Sequence, residues 1–218
     1  MIDWNWIPAN AERLWPAMGQ HLVLALVPVL VGLVVAVPLG WVANRSRAAR
    51  SILVPAAGLL YTIPSLVLFI VLPGIIGTQI LDPLNVVVAL SVYTVALLVR
   101  SVADALAAVP GMVVAAATAM GYKPARRFAQ VELPLSLPVL IAGLRVATVT
   151  NISLVAVGAL IGIGGLGYFL TDGFLRGSST SIIVGTVLIF VIAVVFDALL
   201  VLLGRLATPW VGAGGRER

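Results

Sequence analysis

Four ionisable residues, Arg100, Asp104, Arg145 and Asp197, fall within or beside runs of sequence that are otherwise apolar. Charges in such surroundings pair with one another or face water. Arg100 and Asp104 stand four apart, a spacing at which two side chains on one helix meet. At ~1.5 Å of rise per residue, Arg145 lies about 16 Å past Pro134 and Asp197 about 9 Å before Leu203. A contact between the two helices is then within an arginine's reach. Both pairs are read as structural ion pairs. A proton relay is the weaker reading, because arginine does not release its proton. Uncharged polar residues in the same runs are Tyr61, Thr62, Ser65, Tyr93, Thr94, Thr148, Thr150, Asn151 and Ser153.

Other chemistries are excluded. The chain has no cysteine and one histidine, His21, so no thiolate or His-cluster metal site is possible within it. Lys123 is the only lysine, between Tyr122 and Pro124, so no phosphate-cradling P-loop forms. Gly162, Gly164, Gly165 and Gly167 follow no strand and fit a tight or re-entrant turn better than a phosphate cradle. The basic residues are scattered between apolar runs rather than gathered into a nucleic-acid face.

The elements that carry these residues follow from composition. Mean hydropathy is +1.17, 61% of residues are hydrophobic and 10% are charged. A soluble domain carries about 25% charged residues, so lipid is the solvent for much of this chain. A helix needs roughly 20 apolar residues to cross a membrane. Five runs qualify: 21–43, about 52–76, about 84–103, about 135–161 and about 182–203. Helices are expected because backbone amides in lipid must pair within their own segment. Pro28, Pro38, Pro64, Pro73 and Pro138 lie in or near them and predict kinks or breaks.

Arg45, Arg47, Arg50, Lys123, Arg126, Arg127, Arg205, Arg216 and Arg218 fall on one side, and only Arg13 and Arg176 on the other. The richer side is expected in the cytoplasm, with the N-terminus outside and the C-terminus inside. Residues 1–20, with Trp4, Trp6 and Trp15, read as an external segment at the membrane surface, since Asp3 and Glu12 do not suit a secretory signal. Residues 204–218 read as a cytoplasmic tail, and 1–218 as a single transmembrane domain.

Residues 112–134 are the cytoplasmic interruption. "VVAAATAM" (113–120) is rich in helix formers. Gly121 offers a left-handed stop, and Pro124 suits the first turn of a second helix. Lys123, Arg126, Arg127 and Gln130 recur at helical spacing as one polar stripe, with Phe128 and Val131 turned elsewhere. Pro134 is expected to close the unit and open the fourth span. From the residues alone, a topology-setting surface loop explains the stretch equally well.

Ala115-Ala116-Ala117, three residues, Gly121, nine residues, Val131, one residue and Leu133-Pro134 resemble the EAA loop of ABC-importer permeases. That pattern begins with glutamate, where this chain has Ala115. "YTIPSLVLFIVLP" (61–73), "VELPLSLPVLIAGLRVATV" (131–149), "IGIGGLGYFL" (161–170) and "DALLVLLGRLATP" (197–209) are similar to segments of the osmoprotectant branch, whose members import glycine betaine, carnitine or choline. The resemblance implies an all-α type I importer permease with the MetI-like fold. Its implied partners are a second permease, two ATPase subunits holding ATP and Mg, an external solute-binding protein and membrane lipids. It implies that Ala115, Ala116, Ala117 and Gly121 couple to the ATPase, with Lys123, Arg126 and Arg127 facing ATPase acids or lipid phosphates. Candidate pathway residues are Tyr61, Thr62, Pro64, Ser65, Thr94, Asn151 and Ser153, with Thr62 and Ser65 favoured because they flank Pro64. The glycine-rich turn would lie near the binding-protein dock. Competing expectations are a related importer for another small solute such as methionine, an ATP-independent channel or secondary transporter, and a membrane scaffold.

Overall fold

The computed structural model describes residues 3–210. Residues 211–218 of the expected tail, with Arg216 and Arg218, lie outside the described residues. The helices are α1 (Trp6–Ala9), α2 (Ala11–Arg45), α3 (Arg47–Thr62), α4 (Ser65–Ile76), α5 (Pro83–Ala107), α6 (Gly111–Ala119), α7 (Pro124–Arg127), α8 (Leu133–Gly158), α9 (Gly167–Leu175) and α10 (Ser179–Ala207). A π-helical turn, Phe128–Glu132, joins α7 to α8. Three of the helices, α2, α5 and α10, are each long and apolar enough to cross a membrane, as is the joined run Pro124–Ile161.

The second expected span is a broken one. Helices α3 and α4 meet at 101°. Ile63 and Pro64 take extended backbone, with ψ of 128° and 131°. Pro64 cannot donate a hydrogen bond and disfavours helix at the residue before it. The Tyr93 hydroxyl donates to the freed Ile63 carbonyl, and Thr62 Oγ1 donates to Leu59 O at 2.7 Å. Other prolines behave differently: α2 runs unbroken through Pro16, Pro28 and Pro38, α4 through Pro73, and α8 through Pro138. Of the kinks or breaks expected at the five prolines, the break occurs at Pro64.

Two boundaries also differ from expectation. Helix α2 begins at Ala11, so only the first residues form a separate segment, and Trp6 packs edge-on against Phe169 at 5.8 Å. Pro134 opens α8, as expected, but does not close off the elbow. Its missing N–H removes a bond to the residue four before it, and the ladder there widens to a π turn, with Leu133 N–H bonded to Phe128 O. The chain continues directly into α8.

Helix α5 is the hub, packed on α2, α3, α4 and α8. Small residues permit this. A Cβ on Gly32 would lie 2.3 Å from Thr94 Cγ2, and one on Gly143 2.7 Å from Ser101 Cβ. Close backbone approach through small residues is how helices pack where lipid supplies no hydrophobic drive. Helix α10 is the opposite case, exposed over most of its length.

Candidate functional site

The interruption at 111–132 folds as an elbow. Helix α6 ends at Ala119 with Met120 as its cap, and Gly121 takes φ +83°. Gly121 N–H bonds to Thr118 O at 3.0 Å and Tyr122 N–H to Ala117 O at 3.1 Å. These are the paired bonds of a Schellman cap, which needs a left-handed residue at this place. The second arm then starts at Pro124.

An ion pair within the second arm, with one hydrogen bond reaching the first, braces the elbow. Arg127 Nε donates to Glu132 Oε1 at 2.5 Å, and Arg127 Nη1 donates to Thr118 Oγ1 at 2.7 Å. Thr118 Oγ1 passes its own proton to Val114 O at 2.7 Å. Glu132 is only 4% exposed. Arg127 is thereby occupied inside the elbow, which corrects its expected place on an outward stripe. Sequence reasoning missed Glu132 altogether. The available signal was an acid five residues past an arginine, near one turn of a π-helix.

Arg126 does extend along the surface, bonding Gln130 Oε1 at 2.9 Å and lying over the Tyr122 ring at 5.2 Å. Lys123 is exposed. Phe128 stacks on Trp41 of α2 at 5.4 Å, tying the second arm to the body. On α6, Met112, Ala115, Ala116, Ala119 and Met120 are exposed at helical spacing and form one apolar ridge. Ala117 is buried against the second arm, so it supports that ridge rather than belonging to it.

The charged pairs are arranged differently from each other. Arg145 Nε and Nη2 donate to the two carboxylate oxygens of Asp197 at 2.7 and 2.8 Å. Asp104, by contrast, takes its main hydrogen bond from Arg50 Nη2, and Arg100 Nε stands 3.7 Å away. Arg50 had been counted only as a topology cation. It also reaches Ala103 O at 3.4 Å and fastens α3 to α5.

Two candidate pathway residues prove to be internal. Asn151 Nδ2 donates to Thr94 Oγ1 at 2.8 Å and lies 3.4 Å from Ala25 O. Both side chains are about 1% exposed. They join α2, α5 and α8, and a residue with no open side lines nothing. Tyr61, Thr62 and Pro64 are exposed at the α3–α4 break, where Tyr61 meets Tyr93 edge-on at 5.7 Å. Ser65 is half-buried and Ser153 is exposed on α8.

At the opposite end the glycine-rich turn is pinned to α2. Gly165 N–H bonds to Gln20 Oε1 at 3.0 Å, and Leu166 N–H to His21 Nδ1 at 3.3 Å. His21 Nε2 lies 2.9 Å from Ile152 O. With one nitrogen facing an N–H and the other a carbonyl, the ring is neutral with its proton on Nε2. Beside it, Arg13 Nη2 donates to Tyr168 Oη at 2.7 Å, and Arg176 Nε to Asp172 Oδ1 at 2.7 Å. The bond to Asp172 moves the Arg176 guanidinium up from its ordinary pKa.

Known proteins resemble this chain in sequence and in fold. The family described as "Binding-protein-dependent transport system inner membrane component" matches residues 28–209. The osmoprotectant import permease protein OsmW of Salmonella typhimurium is 36% identical, over 92% of this chain and 94% of its own. The choline transport system permease protein OpuBB of Bacillus subtilis is 30% identical, over 94% and 93%. Among solved structures, an inward-facing MetNI methionine ABC transporter superposes with a TM-score of 0.79 at 24% identity, over 89% of this chain and 96% of that one. At that identity the likeness shows the fold.

Proposed function

Because the chain belongs to the binding-protein-dependent transport system inner membrane components, we propose that it carries a compatible solute, glycine betaine, choline, carnitine or a close analogue, across the bacterial inner membrane. It is the multi-pass permease subunit of an ABC importer. The solute class comes from relatives such as OsmW and OpuBB, which span nearly the whole chain.

In this reading the elbow is the joint to two ATPase subunits, which bind ATP and Mg and hydrolyse the nucleotide. The observation that carries it is the exposed ridge of α6, where three alanines stand between Met112 and Met120. Small side chains let a helix backbone seat closely in a groove, and flexible methionines adapt at its ends. Ala115, in place of the family's glutamate, keeps that ridge apolar. A second permease subunit, an external binding protein near the Gly162–Gly167 turn and membrane lipids complete the assembly. The elbow faces the cytoplasm, with the N-terminus outside and the C-terminus inside.

The test is co-purification in mild detergent together with ATP-driven uptake in vesicles. Ala116→Trp on the exposed ridge is expected to release the ATPase and lower uptake at least tenfold, with the permease still folded. An unchanged complex with unchanged uptake sinks the coupling role.

A further inference from the structure

A cavity of about 530 Å³ opens between α8 and α10, lined by Pro138, Ile141, Ala142, Arg145, Val201, Gly204, Arg205, Thr208 and Pro209. Its charges sit at two depths. Arg205 is in the last turn of α10. Arg145 lies twelve residues past Leu133, and Asp197 ten before Ala207. Those separations are about 18 and 15 Å along their helices, about three turns in from the two helix ends. Even so, the Arg145 and Asp197 side chains are 39% and 34% exposed.

Exposure at that depth decides what the cavity holds. A lipid headgroup stays at the interface, so lipid would place acyl chain against a half-open guanidinium. Ionisable groups inside membranes instead face water-filled cavities or polar partners. Asp197 accepts from Nε and Nη2 of Arg145, and Arg145 Nη1 has no partner among the described residues. A guanidinium carries five N–H donors in a planar fork suited to a second carboxylate. Arg145 and Arg205 line the cavity; counting Asp197, which pairs with Arg145 without lining it, the three leave one positive charge, which favours an anionic end group over a lone cation.

We infer that this cavity is a cytoplasm-facing crevice of the solute path, in which Arg145 receives the carboxylate of a small carboxylate-bearing solute. Asp197 is the positioning residue that holds the guanidinium in place, and Arg205 adds a second cation near the mouth. The inference rests on the solute class proposed above and deepens it: a zwitterion such as glycine betaine engages the crevice, and choline, which has no carboxylate, does not.

The chain's lack of cysteines gives a clean test. Ala142→Cys places one thiol in this chain on the exposed wall of the crevice. The assembled transporter in inside-out vesicles is treated with a charged, membrane-impermeant methanethiosulfonate, and modification of this chain is read by mass. Labelling is expected, slowed at least fivefold by saturating glycine betaine and less than twofold by choline. Adding Arg145→Gln with Asp197→Asn, which keeps an amide hydrogen bond without charge, is expected to abolish the protection; Arg205→Gln is expected to weaken it. No labelling means lipid or another protein segment fills the crevice, and the inference falls. Equal protection by both solutes, or by neither, while right-side-out vesicles of the same preparation take up glycine betaine, overturns the role of Arg145 but leaves the importer reading standing. Absence of both uptake and protection overturns the two together. If the neutralised pair fails to assemble, labelling and protection of the Ala142→Cys single variant still decide the outcome.

Discussion

Two turns of this molecule pivot on a glycine at nearly the same backbone angle, Gly121 at φ +83° and Gly165 at φ +84°. They are held in opposite ways. Gly165 is fastened to another part of the body, its N–H on Gln20 and its neighbour Leu166 on His21. The elbow at Gly121 is fastened to itself, through the Schellman bonds and the Arg127–Glu132–Thr118 brace, and meets the body through Phe128 and α8. The glycine-rich turn therefore shares the stability of the helix bundle. The elbow is a preassembled piece, the property that the coupling role proposed for it needs.

The largest expected effect comes from breaking the brace. Arg127→Ala leaves Glu132 buried without its partner, and removing one member of a buried pair costs about 3–5 kcal/mol. Because the brace is internal to the elbow, the loss should appear there. Hydrogen exchange at 114–122 is expected to quicken about 100-fold or more, since each ~1.4 kcal/mol is tenfold. ATP-driven uptake should fall while the main thermal transition of the bundle stays close to that of the wild type. A bundle that melts much earlier would show that the elbow is not a separate unit.

The two glycines sharpen the contrast. An alanine at either position enters left-handed backbone, at about 1–2 kcal/mol. At Gly165 the new Cβ also comes within 3.2 Å of His21 Nδ1, in the middle of the hydrogen bonds that pin the turn. At Gly121 nothing lies within 4 Å. Gly165→Ala is expected to lower the bundle's melting temperature by about 5 °C, at roughly 2–4 °C per kcal/mol for a chain of this size. Gly121→Ala is expected to leave it nearly unchanged and to loosen only the elbow. Equal shifts would erase the distinction.

How much of this was readable beforehand depends on whether local rules or partners decide. The apolar runs follow from hydropathy because lipid enforces helix, and Gly121 with Pro124 announces the elbow through backbone chemistry alone. Partner choice is another matter. Spacing on paper pairs Asp104 with Arg100, four residues away, yet the α3–α5 packing brings Arg50 to Asp104 and leaves Arg100 mostly exposed. Pro64 breaks its helix while Pro28, Pro38, Pro73 and Pro138 do not. At the Pro64 break the Tyr93 hydroxyl, thirty residues from Ile63, takes up the carbonyl that is freed. Thr94 and Asn151 read as pathway residues because a polar side chain in a span looks the same whether it faces water or another helix. Glu132 was passed over since nothing local shows that Arg127 turns inward to meet it.

The smallest effect tests whether the brace is one network or two separate bonds. Thr118 links the arms only through its hydroxyl, which accepts from Arg127 and donates to Val114 O. Thr118→Val keeps the shape and removes that oxygen, leaving the Arg127–Glu132 pair intact. Thr118 is exposed, so water can replace part of what is lost. A typical net hydrogen bond contributes about 1 kcal/mol, so exchange at 114–122 should rise about fivefold, well short of the Arg127→Ala change. If the two substitutions loosen the elbow equally, the ion pair has no bracing role of its own and the hydroxyl bridge carries the joint. If Thr118→Val does nothing measurable, Glu132 alone holds Arg127, and the link to α6 is made by the Schellman turn at Gly121.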